Sequence, residues 1–220
     1  MKSTNRLLVL AALSVTCLIT ANIIAVKVIG LGSVILPAAV LIFPLNYIFG
    51  DIITEVYGYR WARRVIWLGF SCNLIFVCFS WIGGLLPAAA VWDNQEAYDA
   101  ILGYTPRLLL ASFTGYLVGE FVNSIIMARL KIVTRGRWLW LRTISSTVVG
   151  EGLDTALFII IAFIATPVFT PLLILYHWGA KVLLEVLATP LTYRAVAYLK
   201  RKDRIDTYDD TTNFNPFTLQ

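Results

Sequence analysis

The chain has 220 residues, of which 59% are hydrophobic and 14% are charged, and its formal net charge is +5. A soluble domain normally has about 25% charged residues, so this composition excludes an ordinary water-soluble protein and indicates a polytopic membrane protein. The length leaves room for about six spans of roughly 20–25 residues each. The three cysteines, Cys17, Cys72 and Cys78, lie in apolar runs without metal-ligand spacing, so we expect no disulfide framework and no metal site.

Six apolar runs follow one another along the chain, at about residues 7–29, 34–56, 65–87, 107–128, 143–166 and 172–198. We expect the first run to be an uncleaved span and not a signal peptide, because it continues to about Val26 without a clean small-x-small cleavage site. The sequence therefore predicts an all-α integral membrane domain over residues 1–199 with six transmembrane helices. The polar tail over residues 200–220 is predicted to be flexible.

Basic residues are concentrated on alternate connections between these runs. The positive-inside rule then places both termini in the cytoplasm and accounts for the positive net charge, so we expect no nucleic-acid partner. The opposite connection at residues 88–106 contains Trp92 and Tyr98, which suit a membrane interface, and we expect an interfacial loop, with a short amphipathic helix as the alternative. The basic clusters are Lys2 and Arg6; Arg60, Arg63 and Arg64; Arg129, Lys131, Arg135, Arg137 and Arg142; and Arg194, Lys200, Arg201, Lys202 and Arg204.

Six of the 13 acidic residues fall inside the apolar runs, where an ionised carboxylate is costly. Spans 2, 4 and 5 each contain a glycine followed by an acid, with polar residues one helical turn later. Span 6 has a polar residue at every fourth position. Residues at this spacing share a helix face, so the polar faces are predicted to point at one another or at a water-filled cavity. The six acids are Asp51, Glu55, Glu120, Glu151, Asp154 and Glu185, and the span 6 stripe is His177, Lys181, Glu185, Thr189 and Tyr193.

The distance along the chain from the basic clusters predicts the depth of these acids. Asp51, Glu120, Glu151 and Glu185 each lie nine residues from a cytoplasmic arginine, which places them roughly 13 Å inside the boundary at 1.5 Å per residue. Asp154 and Lys181 lie deeper, at roughly 18–20 Å on the same count. The sequence therefore predicts an acidic chamber within a helical bundle.

A structural role is the alternative for each acid taken singly, through pairing with Lys27, Lys181, Arg60 or a tyrosine. Glu55 could simply pair with Arg63 or Arg64, since it is nearest to the cytoplasmic basic cluster. For the whole set there are too few buried cations, because only Lys181 clearly lies at that depth. Some acids must therefore be protonated, hydrated or matched by something brought from outside.

The stretch Phe43-Pro-Leu-Asn-Tyr-Ile-Phe-Gly-Asp-Ile-Ile-Thr-Glu-Val-Tyr-Gly-Tyr-Arg-Trp-Ala-Arg-Arg64 resembles the queuosine precursor transporter family, also described as vitamin uptake transporters. The likeness covers about residues 20–195 and is also clear at Gly119-Glu120 and Gly150-Glu-Gly-Leu-Asp-Thr155. This resemblance implies an importer in the bacterial inner (plasma) membrane. It implies 7-deazaguanine bases as substrates: preQ0, preQ1 or queuine.

Such a base presents an N1–H and an exocyclic amino group side by side, and a carboxylate can accept both. We expect Glu120, Glu151 and Asp154 to bind the base, and Lys181 to orient a carboxylate or bind the O6 carbonyl. Tyr47, Tyr116 or Phe113 could stack on the rings. The predicted substrate-binding set is Glu120, Glu151, Asp154, Asp51, Asn46, Tyr47, Asn123, Glu185 and Lys181; Glu55 and His177 are candidates for a gate or for coupling, and no catalytic residue or cofactor is predicted.

Three functions remain in competition at this stage. The first is a self-standing importer, either facilitated or proton-coupled. The second is a substrate-binding component that needs an ATP-driven module, which could dock on the small-residue pair Ala21 and Ala25. The third, an integral-membrane enzyme, is disfavoured by the single histidine and the lack of a nucleophile motif. The small-residue-rich spans also leave a homodimer open.

Overall fold

The computed structural model describes residues 2–31, 34–103, 105–166 and 169–218. Five of its helices are long and apolar enough to cross a membrane, so the chain is a mostly helical, multi-pass membrane protein. These five are α1 (Lys2–Ile24), α3 (Tyr59–Leu85), α5 (Pro106–Val133), α6 (Leu139–Phe163) and α7 (Pro171–Asp203). The shorter elements are strands β1 (Val28–Leu31) and β2 (Val34–Pro37), a 3-10 turn (Ala38–Leu41), α2 (Phe43–Ile52), a π-helical turn (Ile53–Tyr57) and α4 (Gln95–Leu102).

The second predicted span is not one continuous helix, which corrects the expectation for residues 34–56. β1 and β2 form an antiparallel hairpin with Val28 opposite Pro37, and the helical part begins only at Phe43. Two prolines explain the break, because neither Pro37 nor Pro44 has an N–H to donate. The helical segment 43–57 is shorter than the about 20 residues that a spanning helix needs. Among the described residues there are therefore five membrane-length helices and one broken segment, where we expected six continuous spans.

The end of the broken segment, including the π-helical turn, is enclosed by the long helices. Every residue from 51 to 59 is buried. Irregular backbone at membrane depth is tolerated where protein surrounds it or where it lines a cavity, and the buried π-helical turn meets that condition. The main apolar core forms around it: Ile48, Ile52, Ile53 and Val56 of the segment pack with Leu7, Leu10, Ala11, Ala62, Val65, Met127, Leu139, Ala188, Val196 and Leu199.

We call the end of the bundle that contains Arg6, Arg63, Lys131 and Arg142 the basic end. The tail after Asp203 is folded against this end, which differs from the expectation of a flexible tail. Arg63 donates hydrogen bonds to the carbonyl oxygens of Asn213 and Asn215, at 3.0 and 2.9 Å. The tail is fixed because buried cations on α3 and α5 need anionic or carbonyl partners, which it supplies.

Further contacts hold the first part of the tail. Lys131 donates to Asp206 at 2.5 Å and to the carbonyl of Thr207 at 2.7 Å. Burial acts to raise the pKa of Asp206, but hydrogen bonds from Lys131 and Lys200 outweigh it and hold that pKa below its usual range. Gly58 makes the close approach possible: its φ is +88°, and a Cβ there would lie 2.7 Å from the Thr207 side chain.

At the opposite end of the bundle, the connection 88–106 contains helix α4. This corrects the expectation of a plain loop in favour of the alternative of a short helix. Tyr98 anchors α4 by donating from its hydroxyl to the carbonyl of Ser80, at 2.8 Å. α4 has no buried residue, so it lies on the surface at the end of α3.

Glycines bring α5 and α6 into close contact. A Cβ on Gly119 would lie 2.6 Å from the Cβ of Asp154 and 3.0 Å from the carbonyl oxygen of Gly150. Gly115 lies one turn earlier on α5, and a Cβ on this residue would lie 2.6 Å from Oδ1 of Asp154. Small residues at four-residue spacing allow helix backbones to approach in this way. The seam therefore sets the position of Asp154 relative to α5.

We expect Gly119→Ala to destabilise the protein by about 1–3 kcal/mol, the usual cost of overpacking a well-packed core. The added methyl group meets the backbone of α6 and the Cβ of Asp154, and neither can move without separating the two helices. The measurement is the thermal unfolding midpoint in detergent. Gly179→Ala is the matched control, because nothing lies within 4 Å of a Cβ built on that residue. Equal midpoints for the two variants would contradict the close packing of α5 on α6.

Candidate functional site

A cavity of about 400 Å³ lies inside the bundle, within the range of small-molecule sites. It extends towards the end opposite the basic end, because the hairpin, the end of α6 and the start of α7 all contribute to its wall. The apolar core and the ionic contacts of the tail lie between the cavity and the basic end. Its polar wall consists of Asn22, Asn46, Tyr47, Ser112, Tyr116, Glu120, Glu151, Asp154, Thr155, His177 and Lys181, and its apolar wall includes Leu18, Leu36, Phe158, Ile159, Phe163 and Leu173.

Lys181 joins two of the cavity carboxylates. Its Nζ lies 2.9 Å from Oε2 of Glu151 and 2.5 Å from Oδ2 of Asp154. The two acids are three residues apart on α6 and so share one face. Tyr47 donates a hydrogen bond to the same Glu151 oxygen, at 3.1 Å. α2, α6 and α7 therefore meet at one polar group, and Lys181 offsets part of the negative charge.

Glu120, the third cavity carboxylate, differs from Glu151 and Asp154 in its charged partners. Within the described part of the chain no cation forms an ion pair with it. Its Oε1 accepts a hydrogen bond from the Asn46 amide at 3.3 Å, and Asn46 in turn accepts one from Ser14 at 3.4 Å. A carboxylate that faces a cavity with only a neutral donor beside it can accept further hydrogen bonds from a bound ligand. Since Lys181 is shared by two other acids, the cavity favours a ligand that is cationic or rich in donors.

Aromatic side chains complete the wall, although not all of those expected. Tyr47 and Tyr116 both line the cavity, together with Phe158. The Tyr116 hydroxyl donates to the carbonyl of Ile66 at 3.3 Å, which fixes its ring. Phe113 does not line the cavity; it packs edge-on against Phe70, with ring centroids 5.1 Å apart. Stacking on a planar ligand is therefore open to the two tyrosines and Phe158 and not to Phe113.

Three predicted binding residues lie outside the cavity wall: Asp51, Asn123 and Glu185. We call them the second acidic cluster. Asp51 and Glu185 are fully buried, and the Asn123 amide donates to Oδ1 of Asp51 at 3.3 Å. Asp51 lies within electrostatic reach of both Glu185 and Glu120. The acids thus come close together, but only Glu120, Glu151 and Asp154 face the cavity.

Glu55 lies towards the basic end and has three cationic partners. Arg142 contacts its Oε1 at 2.8 Å, Lys200 at 2.6 Å and Lys131 at 3.7 Å. The alternative of a structural pairing with Arg63 or Arg64 involves the wrong cations, since Arg63 binds the tail and Arg64 lies over the ring of Trp61. Glu55 therefore joins the π-helical turn to α5, α6 and α7.

Sequence reasoning missed the contribution of α1 to the site. Asn22 lines the cavity and donates to Asn73 on α3 at 2.9 Å, and Ser14 supports Asn46. Both are polar residues in an apolar run, which was the available signal. The hairpin residues that line the cavity gave no such signal, since the hairpin lies within apolar sequence.

Residues 37–195 match the family model described as "Putative vitamin uptake transporter". This match covers well over half of the chain. The chain belongs to this family. It is a family of transporters and not of enzymes, and the resemblance drawn from the motifs is confirmed.

Relatives in this transporter family have related names. The chain is 30% identical over 148 residues to the "Probable queuosine precursor transporter" of Bacillus subtilis (strain 168), covering 66% of this chain and 64% of the relative. It is 28% identical over 125 residues to the "Queuosine precursor transporter" of Escherichia coli (strain K12), covering 57% of this chain and 54% of the relative. The chain thus spans between about half and two thirds of the length of these relatives. No solved structure matches it.

Proposed function

We propose that this chain imports queuosine precursors, 7-deazaguanine bases such as preQ0, preQ1 or queuine, across the bacterial inner membrane. The names of its relatives support the substrate class, and the cavity supports recognition of a small planar ligand. In this proposal the basic end faces the cytoplasm, with both termini on that side. The hairpin and α2 then complete a sixth crossing, as a broken span. The cavity opens towards the outside, and the basic end is closed.

The observation that best supports this proposal is Glu120, a cavity carboxylate that forms no ion pair with a cation of the described residues. The N1–H and amino group of a 7-deazaguanine form a donor pair that one carboxylate can accept in bidentate fashion. In this proposal Lys181 donates to the O6 carbonyl, which is next to the N1–H, while it also contacts Glu151 and Asp154. The aminomethyl group of preQ1 is a cation, and Asp154 is the more exposed of those two acids, with a side-chain exposure of 23% against 7% for Glu151.

The structure does not favour a component that needs an ATP-driven module. The proposed docking pair Ala21 and Ala25 lines the cavity, and Ala21 is buried. A partner that docks from outside the bundle would not reach this pair. The self-standing importer is therefore the better proposal.

Glu55 and His177 are proposed as gating residues on opposite sides of the cavity acids. Glu55 ties together the elements that close the basic end. His177 lies one turn before Lys181 on α7, nearer the open side, and lines the cavity. The two residues would then act at the inner and outer closures respectively.

We expect Glu120→Gln to reduce uptake of a deazaguanine base about tenfold or more. A hydrogen bond to a charged group contributes about 1.5–3 kcal/mol, and 1.4 kcal/mol corresponds to a factor of ten. The measurement is uptake of each labelled base by cells that cannot synthesise queuosine. Glu151→Gln and Asp154→Asn are tested in parallel, with membrane abundance determined for every variant.

Glu96→Gln is the matched control, because Glu96 is exposed on α4, away from the cavity. Its uptake should equal that of the unmodified protein. The proposed binding site would be contradicted if all three cavity variants reached normal abundance and transported every base at normal rates.

A further inference from the structure

The second acidic cluster is buried outside the substrate cavity, and most of its carboxyl oxygens have no partner among the described residues. Asp51 on α2 and Glu185 on α7 are both 0% exposed. Within the described part of the chain neither forms an ion pair. Oδ2 of Asp51 and both carboxyl oxygens of Glu185 also have no hydrogen-bond partner there, and neither has the buried Oδ1 of Asn123. Three of the four carboxyl oxygens of this pair are therefore buried without a donor.

The positive charge nearest to the pair along α7 is bound by other acids. Among the described residues, the charged groups that act on the pair electrostatically are Glu120 on α5, Glu151 on α6 and Glu55 on the π-helical turn. Lys181, one turn before Glu185 on α7, contacts Glu151 and Asp154. The cations nearest on the basic side contact Glu55 instead, as described above. An ionised carboxylate that is buried without a partner is very costly, and two that repel each other are more so. The pair is stable only when at least one member binds a cation.

A proton fits this position better than a metal ion. Neither Asp51 nor Glu185 lines the substrate cavity, so a hydrated ion in that cavity would not reach either carboxylate. In the described part of the chain, no group of three or more acidic, histidine or cysteine side chains is arranged to hold a metal ion. A proton needs no such volume, and it removes the charge of the carboxylate that binds it.

The pair is also connected to the substrate cavity through both of its helices. Asp51 lies one turn after Tyr47 on α2, and Glu185 lies one turn after Lys181 on α7. Tyr47 and Lys181 both contact Glu151 in the cavity wall. A ligand that changes the position of either residue would therefore move the helix turn that holds the pair. In the other direction along the chain, Glu55 on the π-helical turn connects the pair to the basic end.

We propose that Asp51 and Glu185 form a proton-binding site that couples substrate import to proton movement; this rests on the proposed import function. A carboxylate of the pair takes up one proton from the outer side and becomes a neutral carboxyl group. After the bundle rearranges, the O–H bond breaks, the proton leaves to the inner side and the carboxylate is restored. No other bond is made or broken, and substrate recognition stays with the cavity residues.

The test uses the full chain in proteoliposomes with labelled preQ1. A gradient of one pH unit, acid outside, is worth a factor of ten, so transport of one proton per substrate should give about tenfold accumulation. In the double variant Asp51→Asn with Glu185→Gln this accumulation should fall to none. Exchange of labelled for unlabelled substrate at equal pH should persist, because the cavity is unchanged. Asp210→Asn, an exposed tail carboxylate, is the control and should behave like the unmodified protein.

Several outcomes would overturn the proposal. The proposal fails if the double variant accumulates labelled preQ1 to the same level as the unmodified protein. It also fails if a sodium gradient, and not a pH gradient, drives this accumulation. Exchange without any response to the pH gradient in the unmodified protein would overturn coupling alone, whereas absence of exchange would overturn import as well. If the double variant does not fold, proton entry is measured in the unmodified protein with an internal pH dye. About one proton per substrate supports the proposal, and none overturns it.

Discussion

Replacing Lys181 by methionine is expected to abolish uptake and to lower the stability of the protein by about 3–5 kcal/mol, the usual cost of removing one partner from a buried ion pair. The lysine is the cation shared by Glu151 and Asp154, at 2.9 and 2.5 Å. Without it two carboxylates on one face of α6 would repel each other inside the bundle. The measurements are the thermal midpoint in detergent and uptake of the base. Lys202→Met, which removes an exposed lysine in the last turn of α7, is the control and should change neither.

A second substitution separates the structural role of Lys181 from its role in recognition. Adding Asp154→Asn to Lys181→Met removes one of the two stranded charges, so most of the lost stability should return. Uptake should remain low, because the donor proposed for the O6 carbonyl is still missing. If the double variant regained uptake as well as stability, Lys181 would be a structural residue only. If the single variant kept a normal midpoint, the ion pairs would not exist as the structure shows them.

The residues that line the cavity on α5, α6 and α7 were largely predictable from spacing. Glu120, Glu151, Asp154 and Lys181 follow glycines or a four-residue polar stripe, and such residues cannot face lipid. The structure places all four in the cavity wall. Hydropathy and helical periodicity are sufficient there because α5, α6 and α7 are continuous helices.

The same reasoning did not predict that Asp51, Asn123 and Glu185 lie outside the cavity wall. A count from the basic clusters gives the height of a residue along a helix but not the direction in which it points. Glu120 and Glu185 each lie nine residues before an arginine, yet only Glu120 faces the cavity. The direction depends on the rotation of each helix about its axis, which is set by packing. The glycine contacts between α5 and α6 are part of that packing and involve residues far apart in sequence.

The broken second segment and the tail were mispredicted for related reasons. An apolar run predicts a span by its length, and the run from residue 34 gave no weight to Pro37 and Pro44, which interrupt helical hydrogen bonding. The tail is polar and mixed in charge, which is typical of a flexible segment. It is held because Arg63 and Lys131 are buried at the basic end and need partners. Such a need becomes visible only once the burial of each cation is known.

Glu55→Gln is expected to have the second large effect, at the basic end of the bundle. Glu55 is fully buried among three cations, with Arg142 at 2.8 Å and Lys200 at 2.6 Å. Glutamine has nearly the same shape but no charge, so Arg142 and Lys131 would be left buried with too little negative charge. The expected loss of stability is again about 3–5 kcal/mol. Adding Arg142→Met should cost less in this background than in the unmodified protein, and a double-mutant cycle on thermal midpoints measures that coupling.

The same substitution should also release the tail, which provides an independent measurement. Lys131 and Lys200 bridge Glu55 to Asp206, so their positions depend on both carboxylates. When Glu55 loses its charge the two lysines are less well compensated, and the peptide bond after Arg204 should become easier to cleave with trypsin. Asp210→Asn should leave cleavage unchanged, since Asp210 is exposed. A normal midpoint together with normal resistance to trypsin would show that Glu55 does not hold the basic end closed, and the inner gate would have to be sought elsewhere in the bundle.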